Sequence, residues 1–202
     1  MQVANERNIR HLSLEEITDF FESMGEKKFR AKQVYEWLWQ KHAHSFADMT
    51  NLSKELRQKL GETFTLPALA VDATQYSADG TVKSRFRTHE GHLVEGVLIP
   101  TDERKTACVS SQIGCSLSCK FCATGYIDRK RNLNYDEIYD EVVLINQQSE
   151  RVYEKKLTNI VFMGMGEPLL NYKNVLKAIE KITSPDGLGM SPRRITVSTA
   201  GV

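Results

Sequence analysis

The segment CSLSCKFCATG, running from Cys115 to Gly125, sets three of the chain's four cysteines at the spacing C-x3-C-x2-C, and the fourth, Cys108, lies seven positions upstream. Thiolates this close together on one short loop can wrap a compact iron-sulfur cluster. Structural zinc asks for four ligands, usually as two separated pairs. The chain has no second C-x2-C, and the closest upstream histidine is His92. Plain packing of small side chains is the other reading, against which Ser118 and Lys120 interleave the cysteines. Three thiolates leave one position of a four-ligand centre unfilled, and an open position is what distinguishes a catalytic metal centre from a structural one.

Other residues fall where chemistry could use them. Gly164 and Gly166, in GMGEPLLN, follow the apolar run NIVFM. Backbone without side chains can approach a ligand at the carboxyl end of a sheet, although a tight turn would use the same glycines. Glu95, in HLVEGVLIP, shares one strand face with Leu93, Val97 and Ile99. An acid there is either desolvated and poised for proton transfer or a partner in a buried ion pair. Cys108 shares a face with Thr106 and Ser110, and a packed thiol is the ordinary fate of such a residue.

The elements that must hold these residues can be read from periodicity. Ser13 and Glu16 make a capping-box pattern ahead of Ile17, Phe20 and Phe21, and Gly25 stands where that helix would stop. FRAKQVYEWLWQKH reads as a second helix, with Val34, Trp37 and Leu38 at helical spacing and Trp39 round the other side, so that one tryptophan faces outward. A third helix starts near Ser53, with Leu52, Leu56 and Leu60 on one stripe before Gly61. After Pro67 the period changes: ALAVDATQYS and TVKSRFRTH flank the hairpin signal Asp79-Gly80, and HLVEGVLIP follows. From there strands KTACVSS, LTNIVFM and RRITVST alternate with helices NYDEIYDEVVLINQQ and YKNVLKAIEKI, the pattern of βαβ units in a parallel sheet.

The expected fold class is therefore α/β, with a helical domain over residues 1–66, a β hairpin or meander over 67–100 and a parallel βα region over 101–202. With three parallel strands and an uncovered edge after RRITVST, the expectation is the front part of a longer protein. A 41% hydrophobic content suffices for a buried core. The opening MQVANERNIR has no basic-then-apolar signal, and no apolar run approaches the roughly 20 residues needed to span a bilayer, so a cytoplasmic location is the default expectation. In that reducing setting a cysteine cluster points to metal or redox chemistry. A net charge of +1 gives no global attraction to nucleic acid, but Lys27, Lys28, Arg30 and Lys32 cluster, as do Arg129, Lys130 and Arg131; either run could also be a solvated face.

C-x3-C-x2-C after the first strand of a βα barrel resembles the radical S-adenosylmethionine superfamily. VEGVLIP, ACVSSQIGCSLSCKFCATG, GMGEPLLN and RRITVSTAGV together resemble, within it, the dual-specificity adenine C2 methyltransferases that modify 23S ribosomal RNA and transfer RNA. The resemblance implies a partial radical SAM barrel and a 4Fe-4S cluster held by Cys115, Cys119 and Cys122, with S-adenosylmethionine filling the open position and contacted by Gly166, Glu167 and Ser198. It implies Glu95 as proton acceptor and Cys108 as the cysteine of a transient disulfide. It also implies a methyl-carrying cysteine in the C-terminal part of the family, an electron donor such as flavodoxin, RNA partners and a monomer. Carbon 2 of adenine is electron-poor and will not attack an electrophilic methyl, which is why such a reaction needs a radical. Two alternatives share these features: the related enzyme methylating carbon 8 of the same adenosine, and a catalytically idle RNA-binding fragment gripping phosphates through EKKFRAK, Arg85 and Arg87.

Overall fold

The computed structural model describes residues 7–202; the opening MQVANE, read above for a signal segment, lies outside them. Contacts divide the chain into two compact units, one made of the residues up to Pro67 together with Pro185–Leu188, the other of Ala68–Ser184 and Gly189–Val202. No helix among the described residues is long and apolar enough to cross a membrane.

The first unit is helical, with α1 (Leu14–Ser23), α2 (Phe29–Trp39) and α3 (Lys54–Thr63). The α1 start is the capping box expected from its sequence: the Ser13 N–H donates to Glu16 Oε2 at 2.7 Å and the Glu16 N–H donates to Ser13 Oγ at 3.1 Å. α2 buries Ala31, Val34, Leu38 and Trp39. Trp37 is the outward tryptophan instead, its indole N–H donating to Asn51 Oδ1 at 2.6 Å and its ring covered by Lys41. At about 100° per residue Trp39 and Trp37 fall on opposite flanks of the arc set by Ala31, Val34 and Leu38, so helical spacing alone does not choose between them; the buried flank is the one that carries Trp39. The helix also stops at Trp39, short of His42, which takes a left-handed backbone at φ 54°.

The second unit is built on a six-stranded sheet. Its strands are β1 (Ala70–Tyr76), β2 (Val82–Arg87), β3 (Leu93–Pro100), β4 (Lys105–Cys108), β7 (Asn159–Phe162) and β8 (Ile195–Val197), in that spatial order. A separate two-stranded ribbon pairs β5 (Gln112–Ile113) with β6 (Arg131–Asn132). The first four strands of the main sheet are antiparallel and the last three parallel, with α4 (Tyr135–Tyr153) crossing from β4 to β7 and α5 (Tyr172–Thr183) from β7 to β8. The expected three parallel strands are thus present, but the 67–100 meander is continuous with them, because the turn Thr101–Arg104 closes β3 onto β4 as a hairpin.

The two faces of this sheet differ. Val82, Phe86, Val94, Leu98 and Ala107 are fully buried on the face against which α4 packs. Gly96 belongs to that face, and a methyl added there would lie 2.9 Å from Ile145 of α4. The opposite face carries Lys83, Glu95, Val97, Cys108 and Val161, all half-buried.

Candidate active site

Three loops meet the carboxyl ends of the adjacent parallel strands β4, β7 and β8, which is where ligands bind in parallel α/β sheets. The loop after β4 is the cysteine loop. Its neck is the β5–β6 ribbon, which pairs Gln112 with Asn132 and Ile113 with Arg131. Within it Cys115 N–H donates to Ile127 O at 3.2 Å, Cys122 N–H to Cys119 O at 3.1 Å and Gly125 N–H to Cys122 O at 2.9 Å. Cys115, Cys119 and Cys122 are all free and half-buried. Backbone amides approach two of the sulfurs: the Leu117 N–H donates to Cys115 Sγ at 3.4 Å, and the amides of Gly125 and Thr124 hold the Cys122 thiol below its ordinary value. Among the described residues no three His, Cys, Asp or Glu side chains converge as a single bound ion would require. The donor set, three free thiols on one closed loop with backbone amides at two of them, fits a cluster, whose thiolate ligands are spread over several irons.

The loop after β7, Gly164–Asn171, lies directly on the segment leaving β4. Met165 O accepts from the N–H groups of Ser111 and Gln112 at 2.9 and 3.2 Å, the Met165 N–H donates to Ser110 Oγ at 2.8 Å, and the Glu167 N–H donates to Gln112 Oε1 at 2.9 Å. Asn171 Nδ2 donates to Ser111 O and Leu133 O at 2.7 and 2.8 Å. The glycines are needed for this approach. A methyl on Gly164 would stand 2.6 Å from Ser110 Oγ, and Gly166, at φ +92°, would put one 2.5 Å from Gln112 Cβ. What the two glycines admit is thus the neighbouring loop, a close packing that differs from both the ligand approach and the tight turn weighed from the sequence.

The loop after β8 joins through Glu167. This side chain is 3% exposed, and its oxygens accept from Leu169 N–H at 2.9 Å, Thr199 Oγ1 at 2.6 Å and Ala200 N–H at 2.8 Å. Burial alone would raise its pKa; the Ala200 amide, the Thr199 hydroxyl and the Leu169 amide outweigh it and hold the carboxyl below the ordinary glutamate value. Its carboxylate therefore ties the second loop to the third, beside Ser198, which is exposed and donates its N–H to Phe162 O at 3.4 Å. Because the folded pKa is lowered, the tie is fully present above the unfolded value and is lost as pH falls through the folded one. Glu167→Gln should cost about 2 kcal/mol at neutral pH, since a hydrogen bond to a charged group is worth roughly 1.5–3 kcal/mol. It should also flatten the acid limb of the stability curve, which urea unfolding between neutral pH and about pH 3 will read.

Glu95 and Cys108 stand on the open face of the sheet. Val97 pairs with Cys108 across β3 and β4, so Glu95 lies one alternate position along β3 from the cysteine's partner, on the same face. Glu95 is neither desolvated nor in a buried pair: Lys83 Nζ sits 2.9 Å from its Oε2, and both side chains are 44% exposed. The Cys108 thiol is pushed up by burial, with the Met163 amide pulling it back and Glu141 adding to the rise. Glu141, on α4, is wholly buried and accepts the Ser110 N–H at 2.8 Å. Burial drives its carboxyl well above the usual range, against the Ser110 amide and with Glu137 adding. Ser110 Oγ in turn donates to Glu95 O at 2.7 Å. Gln112, Glu141 and Asn171 escaped the sequence reading, and Ser110 entered it only as a neighbour of Cys108; for Ser110 and Gln112 the signal was the polar run SSQ directly after an apolar strand, where buried polar groups must find partners.

The sequence model of the ribosomal RNA large subunit methyltransferase N-terminal domain matches residues 7–66, and that of the radical SAM superfamily matches residues 109–202. A probable dual-specificity RNA methyltransferase RlmN of Cytophaga hutchinsonii is 61% identical over 194 residues, 96% of this chain and 53% of the relative. The chain matches the N-terminal portion of the dual-specificity radical SAM RNA methyltransferases. A second family member, the probable RlmN of Flavobacterium psychrophilum, is 58% identical over 202 residues, covering 100% of this chain and 58% of its own length. The crystal structure of a radical SAM methyltransferase from Sphaerobacter thermophilus superposes with a TM-score of 0.85 at 36% identity, over 97% of this chain and 57% of that one. The chain spans about half the length of the curated family members it matches.

Proposed function

We propose that this chain carries the cluster site, the cofactor site and the proton-handling face of an RNA methyltransferase that modifies carbon 2 of specific adenosines in 23S ribosomal and transfer RNA, working in the cytoplasm as a monomer with an electron donor such as flavodoxin. The observation carrying this reading is that the cysteine loop, the GMGEP loop and the STAG loop are fastened to one another at the ends of three adjacent parallel strands, with Glu95 and Cys108 on one open sheet face. When bound, a 4Fe-4S cluster with S-adenosylmethionine supplies a strong hydrogen-abstracting radical and the methyl group.

The chain's own residues divide the remaining work. Cys115, Cys119 and Cys122 hold the cluster, their loop amides offsetting thiolate charge. Gly166 and Ser198 offer backbone and hydroxyl to the cofactor. Glu167, its carboxylate engaged by Thr199 and Ala200, shapes the same cofactor site by fixing both loops. Glu95 takes the proton from the methylated base, and its exposure on the sheet face lets that proton pass to solvent. Cys108, its half-buried thiol held protonated until it reacts, gives up that proton and attacks the sulfur of the protein–RNA thioether; the sulfur–carbon bond breaks, the carbon keeps the electron pair and takes a proton to become the product methyl, and a disulfide remains. The resemblance implies a methyl-carrying cysteine in the family's C-terminal part, and none of the four cysteines of this chain is assigned that role.

Anaerobically reconstituted and reduced protein incubated with S-adenosylmethionine should release 5'-deoxyadenosine and methionine, and Cys115→Ala should release neither. Unchanged cofactor after reduction would refute the radical assignment. In the protein completed by the carrier cysteine, nucleoside analysis of the RNA should find 2-methyladenosine; 8-methyladenosine would move the chain to the related carbon 8 enzymes.

A further inference from the structure

Beside Glu95 the open face of the sheet holds a hollow of about 140 Å³ lined by Ala73, Gln75, Lys83, Arg85 and Glu95. Ala73 pairs with Arg85 and Gln75 with Lys83 across β1 and β2, while Arg85 pairs with Glu95 across β2 and β3, so three strands contribute to one surface. Lys83, Arg85 and Arg87 alternate along β2 and project from this face, about 7 Å apart at a rise of about 3.4 Å per residue. That interval is close to the repeat of an extended nucleic-acid backbone.

The charges around the hollow are arranged rather than cancelled. Asp72 sits where the β1–β2 register slips between Val71 and Ala73, with a side chain only 11% exposed, and it pairs with both Arg85, at 2.6 Å, and Arg87. One carboxylate thus orients two guanidinium forks, each keeping donors to spare. Glu95 offsets Lys83. Three cations, Lys83, Arg85 and Arg87, against two carboxylates, Asp72 and Glu95, leave a net charge of +1 on the face. Gln75 adds an uncharged amide donor, and the small Ala73 side chain leaves the space open. The hollow has room for more than one water and is open to solvent on one side, which suits a phosphodiester group.

We propose that this hollow and the basic row beside it bind the phosphate backbone of a single-stranded stretch of the RNA substrate, running along β2 and placing one nucleotide at Glu95. The proposal rests on the reading of the chain as part of an RNA methyltransferase, and it assigns Lys83, Arg85 and Arg87 to a phosphate track.

The test is binding of a short fluorescent single-stranded RNA oligonucleotide by anisotropy across a salt series, which requires neither cluster nor cofactor. Lys83→Gln with Arg85→Gln should weaken affinity at least tenfold and lower the log–log salt slope by about 1.4, at about 0.7 per phosphate contact on a single strand. Lys83→Arg, which keeps the charge, should retain the wild-type slope, and unchanged thermal unfolding of each variant separates lost contacts from lost fold. A double variant that binds with wild-type affinity and slope would overturn the phosphate track alone. Wild-type protein with no salt-dependent affinity for RNA would overturn both the track and the functional reading beneath it.

Discussion

Gly166→Ala should destabilise the second unit by about 3 kcal/mol or more and strip the cysteine loop of its support, although no cysteine is touched. Two costs add. At φ +92° an alanine pays for a left-handed backbone, on the order of 1–2 kcal/mol. Its methyl would also lie 2.5 Å from Gln112 Cβ, 2.6 Å from Cγ and 2.8 Å from the Gln112 nitrogen, an overlap with backbone that no rotamer relieves; overpacking of this kind costs roughly 1–3 kcal/mol. Gln112 is the residue that must yield. Its Oε1 accepts the Glu167 N–H, its Nε2 donates to Asn132 Oδ1 at 2.7 Å, and it pairs with Asn132 in the ribbon that closes the cysteine loop. Displacing it loosens two loops together. For a chain of this size each kcal/mol moves the melting temperature by about 2–4 °C, so calorimetry should read a drop of roughly 6–12 °C. Reconstituted iron should fall with it. A melting temperature within about 2 °C of wild type would show that the two loops are not in the contact described.

The cysteine loop was legible because its cysteines are local: C-x3-C-x2-C needs no knowledge of which strands pair. Ser13 and Glu16 were legible for the same reason, since a capping box spans one helical turn. Strand registers are set by contacts distant in sequence, and what depends on them was not legible. That Glu95 meets Lys83 rather than a buried partner follows from β2 and β3 pairing Arg85 with Glu95 and Lys83 with Val97. That Glu95 and Cys108 share a face follows from the pairing of Val97 with Cys108, which in turn needs the tight turn at Thr101–Arg104 that Pro100 had suggested was a boundary. The α4 helix outran its apolar pattern, reaching Tyr153, and its polar end makes one tertiary and one local contact: Gln148 Nε2 donates to Ser84 Oγ at 2.5 Å, and Ser149 Oγ to Lys155 O at 2.6 Å. Gly164 and Gly166 were visible as a motif, while their packing against Val109–Gln112 was not, since nothing in the motif names the neighbour.

The account turns on Cys115, Cys119 and Cys122 forming one three-thiolate cluster site. Cys119 is the most informative of them to remove. It lies at the centre of the loop, where its carbonyl accepts the Cys122 N–H at 3.1 Å, so alanine preserves the backbone turn and deletes only the sulfur. Two thiolates cannot replace three as the anchor of a four-iron cluster, and the loss should be all-or-none. Cys108 provides the internal comparison, because it lies on the open sheet face outside the cysteine loop. The measurement is iron, sulfide and zinc content, with the electron paramagnetic resonance spectrum after reduction, on anaerobically reconstituted protein. Wild type and Cys108→Ala should each hold about four irons and four sulfides per chain, and Cys119→Ala none. Bound zinc in place of iron, or a full cluster retained by Cys119→Ala, would contradict the account.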